Sequence, residues 1–217
     1  ELQRQFQSLK LARQVEARAK TLRTDAGRRV QVTEHDDPKD HEHLLKEWGV
    51  EKVNLGGDAR IGAHVVRGVQ QVVSAGGYLP KEIDVSTRYF WSQKLGKIDP
   101  QHIGSYDYKA KRMELNPDWP GWKDPEEMRR MFREHESSSD SPLHPVFHEA
   151  AHADAIERDV NHGHADLSPS QWETAGKVSA YAQSSINEFI QEVRAGRMAG
   201  RRFNQEIMDL YVRLGGR

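Results

Sequence analysis

Residues 141–160 read SPLHPVFHEAAHADAIERDV, with His148, Glu149 and His152 at the centre. Pro145 suits the first position of a helix, where its missing N–H costs nothing. Val146, Phe147, Ala150, Ala151, Ala155 and Ile156 supply an apolar frame at helical spacing that runs until Asn161-His162-Gly163 breaks it. Residues four apart share a helical face, so His148 and His152 can reach one ion while Glu149 reaches a water at its edge. In a chain with 11 His, chance accounts for only about 0.05 such H-E-x-x-H matches. A helix that merely carries polar residues would not set small and apolar groups directly beside all three. The motif therefore predicts a metal site, and the neutral imidazoles point to zinc.

Two histidines leave a catalytic zinc one protein ligand short. The metzincin continuation is absent, because Ala155 stands at its Gly position and Arg158 at its last His position. His162 and His164 in the following loop are candidates, as is a carboxylate on a later helix. The better candidate lies in VSAYAQSSINEFIQEVRAG, residues 178–196, where Glu188 and Glu192 are four apart and face one way. Ser184 or Ser185 can cap that helix and Gly196 can end it. A capping box from Ser185 would turn Glu188 back to the helix start; a cap at Ser184 would free it for a metal.

The rest of the chain builds a frame. Residues 1–30 form a weakly amphipathic helical arm, and 32–58 a charged connector with a short helix around His43–Trp48. His35, His41 and His43 read as part of its solvated acidic face. Ile61, Val65, Val69, Val72 and Val73 mark a buried helix that stops at Gly76-Gly77, and IDVSTRYFW alternates like a strand. HIGSYDYKAKRMELNP gives two strands around a turn near Lys109–Lys111. A Pro/Trp loop, a charged helix and the Ser-rich break at 137–141 precede the motif, and Phe203, Ile207, Leu210, Tyr211 and Leu214 close the chain as an amphipathic helix. The fold class is α+β: a small antiparallel or mixed sheet packed on the motif helix and a following glutamate-bearing helix. The division expected is an arm and connector over 1–54 and a catalytic domain over 55–217.

Composition excludes several classes. Lys+Arg 32 against Asp+Glu 33 leaves a net charge of -1, so no nucleic acid or anionic membrane is invited by bulk charge. Cys 0 leaves only His, Asp and Glu to hold a metal. No apolar run approaches the ~20 residues of a membrane span, which predicts a soluble chain. It begins at Glu1 without Met or a basic-then-apolar leader, so we expect a piece of a longer protein.

With Ser179, Tyr181, Asn187-Glu188 and Glu192 following H-E-x-x-H, the chain resembles the gluzincin branch of zinc metallopeptidases. Within it, the likeness is to the catalytic domain of anthrax lethal factor and related phage- and toxin-associated peptidases. The resemblance spans roughly residues 80–200 in element order but few identities, and it implies a zincin-like fold in which Lys111–Pro117 would form the sheet edge that aligns a substrate. It implies zinc held by His148, His152 and Glu188, with Glu149 activating the water, Tyr181 steadying the oxyanion and Glu192 supporting a ligand histidine. Departures are Ile156, where thermolysin-type enzymes carry Asp, and Ile190-Gln191 before the second Glu. The expected activity is a zinc-dependent endopeptidase acting on a protein or peptide, part of a larger effector, toxin or phage protein that is secreted or delivered into a target cell. The alternative is a non-enzymatic phage-particle or assembly protein with a structural zinc.

Overall fold

A computed structural model describes residues 31–157 and 167–216. The arm expected over residues 1–30, and the loop histidines His162 and His164, lie outside them. Among the described residues, seven α-helices and six short strands follow in the order α1 (Pro38–Glu47), β1 (Lys52–Asn54), α2 (Ala59–Ser74), β2 (Glu82–Val85), β3 (Trp91–Ser92), β4 (Lys97–Ile98), β5 (Gly104–Asp107) and β6 (Arg112–Leu115). Then come α3 (Pro125–Arg133), α4 (His144–Glu157), α5 (Pro169–Gly176), α6 (Ile186–Met198) and α7 (Gln205–Arg213). No described helix is long and apolar enough to cross a membrane.

The chain is α+β with a small mixed sheet in the order β1-β2-β6-β5. β1, β2 and β6 run parallel and only β5 is antiparallel, against β6 with Ser105 opposite Glu114. This corrects the expected edge: Arg112–Leu115 lies inside the sheet and Gly104–Asp107 forms its border. It also bears on the division at residue 54, because β1 pairs in register with β2 and Leu45, Trp48 and Val50 are buried in the same core as α2. The supposed connector is thus built into the domain. His41, expected on a solvated face, is fully buried where α1 crosses α2 at Gly62. IDVSTRYFW is not one strand: its first part belongs to β2, Ser86 then caps a 3-10 turn at Thr87–Tyr89, and Trp91 begins β3, which pairs with β4 in a separate two-stranded sheet.

Two apolar clusters meet at the motif helix. The first joins α1, α2 and the sheet to Val146, Phe147, Ala150 and Ala153 of α4. Gly68 lets α2 approach α4 closely, because a Cβ there would fall 2.6 Å from Val146 Cγ1. The second unites Ala175, Phe189, Ile190, Val193, Leu210 and Tyr211 from α5, α6 and α7 with Val178, which follows α5. Burying such aliphatic and aromatic side chains contributes about 1.5–3 kcal/mol each before entropy is charged against it. Every residue of α4 from His144 to Asp154 is buried, so its polar side chains must find partners inside the protein.

Candidate metal centre

α4 brings the motif to the seam between the two clusters, and α6 brings its glutamates to the same place. Ser185 caps α6 by accepting the Glu188 N–H at 3.1 Å. The Glu188 side chain nevertheless leaves the helix start and faces α4, so the choice between cap and ligand did not arise. Gly196 does not end α6; the helix runs to Met198 and turns at Gly200, at φ 90°.

Glu188 Oε2 stands 3.0 Å from His148 Nε2 and 3.7 Å from His152 Nε2. Neither contact has hydrogen-bond geometry: Glu188 Oε2 and Glu149 Oε2 are both buried with no hydrogen-bond partner among the described residues. Glu188 Oε2 is met only by the charge of the neighbouring rings, and Glu149 Oε2 by no hydrogen bond; a buried carboxylate oxygen left so costs about 1–3 kcal/mol or more. His148, His152 and Glu188 are close enough together to hold a metal ion.

The outer nitrogens of both rings are held. His148 Nδ1 donates to Glu192 Oε1 at 2.9 Å, and His144 Nε2 donates to the same oxygen at 3.0 Å. Glu192 Oε2 accepts the Ser138 N–H at 2.8 Å and the Ser179 hydroxyl at 2.9 Å. His144, His148 and Glu192 form a second set close enough for a metal, yet Glu192 already takes four donors in a fully buried position. Its hydrogen-bonding capacity is spent on ordering the protein, whereas that of Glu188 is not. Tyr108 Oη lies 3.0 Å from His152 Nδ1.

Charge follows this layout. Burial alone would raise Glu188, but His148 and His152 beside it bring it down to about 2. Burial would likewise raise Glu192, and His144 and His148 hold it well below the usual carboxylate range. Burial works to lower His148, and the two glutamates override it and hold it well above an ordinary histidine. Glu149 is raised, chiefly by burial. The Tyr181 phenol is pushed up by burial and by the negative charge of Glu188 and Glu149. Its ring lies 5.5 Å from that of His148 and half of it is exposed.

A cleft of about 590 Å³ opens over this cluster, with His102, Ile103 and Gly104 on one wall and His148, Glu149 and Tyr181 among its other lining residues. Gly104 permits the approach of the edge strand: a Cβ there would sit 3.0 Å from Glu149 Oε1. The structure thus brings together all six residues singled out from the sequence, His148, Glu149, His152, Tyr181, Glu188 and Glu192. It adds His144, whose i, i+4, i+8 spacing with the motif histidines was a usable signal. It also adds Tyr108, 44 residues from its partner, for which the sequence held none. No family model, curated protein or solved structure matches this chain.

Proposed function

We propose that this chain is a zinc-dependent endopeptidase whose metal is held by His148, His152 and Glu188. The observation that carries the reading is the buried Glu188 Oε2, which faces two imidazole Nε2 atoms without a hydrogen bond, together with the buried Glu149 Oε2, which also has none among the described residues. Two neutral imidazoles and one carboxylate are a catalytic zinc set. Ligands about 2.0–2.1 Å from a tetrahedral ion stand roughly 3.3 Å apart, close to the 3.0 and 3.7 Å separations of Glu188 from the rings. Glu192 and Tyr108 at the outer nitrogens orient the rings as ligand histidines require.

Bound zinc would supply a Lewis acid for the peptide carbonyl and a water acidic enough to attack near neutral pH. Glu149, raised by burial, is suited to take the proton of that water and give it to the departing amine as the C–O bond forms and the C–N bond breaks. Tyr181, kept protonated, can donate to the oxyanion. The outer main-chain edge of β5 beside Glu149, which pairs with no other strand among the described residues, can align an extended peptide by strand pairing. The test is cleavage of a peptide library, read by mass spectrometry, by the parent and by Glu149→Gln. The proposal requires cleavage by the parent and none by a variant that still binds zinc. A zinc-loaded parent that cleaves nothing would instead support the structural-zinc reading.

A further inference from the structure

The two nitrogens of His152 have unlike surroundings. Nε2 faces Glu188 Oε2 at 3.7 Å, and Nδ1 meets the Tyr108 hydroxyl at 3.0 Å. Tyr108 directly follows β5, with its ring edge-on to the imidazole at 5.9 Å, while Tyr106 of the same strand lies nearly parallel to it at 6.4 Å. One strand therefore fixes the plane of the ring by packing and its long axis by a hydrogen bond.

A phenol can give a hydrogen bond to Nδ1 or take one from it. If it gave one, the ring proton would sit on Nε2 and that nitrogen could bind no cation. If it takes one, Nε2 is a bare lone pair facing the unpartnered oxygen of Glu188. We infer that Tyr108 is a positioning residue that accepts the Nδ1–H of His152 and so keeps Nε2 free to ligate. One observation favours this direction. Tyr108 is 51% exposed, so its own O–H has water to donate to, whereas a buried His152 Nδ1–H has Tyr108 as its hydrogen-bond partner. The two ligand rings are then held unequally: His148 donates to a carboxylate that strengthens it as a ligand, and His152 to a neutral phenol that strengthens it less. His152 becomes the weaker ligand, and Tyr108 tunes how tightly the ion is held.

This rests on the metal-site reading for the use of Nε2, but the tautomer can be read without any metal. Long-range proton–nitrogen NMR of the metal-free protein, at a pH where the ring nitrogen shifts report neutral His152, gives its tautomer directly. The parent is expected to show Nδ1–H. Tyr108→Phe, which keeps both ring contacts, should shift His152 toward Nε2–H and weaken zinc binding about ten- to a hundredfold by chelator competition. Tyr181→Phe should leave the His152 tautomer as in the parent. An Nε2–H tautomer in the parent, or a Tyr108→Phe variant with unchanged tautomer and zinc affinity, would overturn the inference. Neither result depends on whether the protein cleaves peptides.

Discussion

Replacing Glu192 by Gln keeps the size of the side chain and removes the ability of one end to accept. Oε1 serves His144 and His148, and Oε2 serves the Ser138 N–H and the Ser179 hydroxyl. An amide must turn its NH₂ toward one of these pairs. Turned toward Ser138, it meets a main-chain N–H that can only donate, and two buried donors face each other. Turned toward the rings, it forces His148 to accept at Nδ1 and carry its proton on Nε2, where the metal would bind. Either orientation loses one or two charge-assisted hydrogen bonds, each worth about 1.5–3 kcal/mol, so we expect a loss near ~3 kcal/mol. At roughly 2–4 °C per kcal/mol for a chain of this size, Tm should fall roughly 6–12 °C in scanning calorimetry of the chelated protein. Zinc affinity, measured against a chelator, should fall about ten- to a hundredfold. A Glu192→Gln variant melting within about 2 °C of the parent, with unchanged affinity, would refute this wiring.

Three further outcomes follow from the same geometry. Gly104→Ala places a methyl 3.0 Å from both Glu149 Oε1 and the Glu114 carbonyl; the main chain yields less than the side chain, so kcat should fall about a hundredfold with zinc retained. Tyr181→Phe should lower kcat about a hundredfold or more while KM and zinc content hold, if its phenol meets the oxyanion. In the metal-free protein, the depressed Glu188 and Glu192 give stability that is present above their ordinary 4.5 and is lost as pH falls toward 2. The raised His148 gives stability that is full below 6.5 and is lost as pH climbs through its higher folded value. Denaturant midpoints of that protein should therefore peak between these limits, while added zinc, which competes with the proton on His148, should stabilise more as pH rises above 6.5.

Local periodicity carried the helices into view. Val146, Phe147, Ala150 and Ala151 of α4, the valine face of α2, and Ile207, Leu210 and Tyr211 of the closing helix are buried as their spacing promised, while Ala155, Ile156, Phe203 and Leu214 are only half-buried. The sheet was harder, because strands of three or four residues such as Lys52–Asn54 are too short to show a period. The parallel pairing of β1 with β2 depends on the α2 crossover, and that of β2 with β6 on the excursion through β3, β4 and β5, rather than on any turn signal. The β5–β6 hairpin, closed at Lys111 with φ 52°, was legible, as was the part of β2 that opens IDVSTRYFW. In the site, spacing on two helices exposed the histidines and glutamates, since i, i+4 pairs are a sequence property. Tyr108 reaches His152 across the fold, and the four donors to Glu192 come from three separate segments. Such partners are set by packing, and no pattern along the chain announces them. His41 shows the same limit in reverse: a charged neighbourhood concealed a ring buried under α2.

The central claim is that His148, His152 and Glu188 bind zinc through atoms that face one another across the α4–α6 seam. It is tested most directly by metal content, measured by inductively coupled plasma mass spectrometry on protein purified without chelator or metal-affinity steps, beside His148→Ala and Glu188→Ala. The account predicts close to one zinc per chain in the parent and a marked loss in both variants. A parent that takes up no zinc even when incubated with it would contradict the account, leaving His148 and Glu188 as a buried ion pair that bridges two helices.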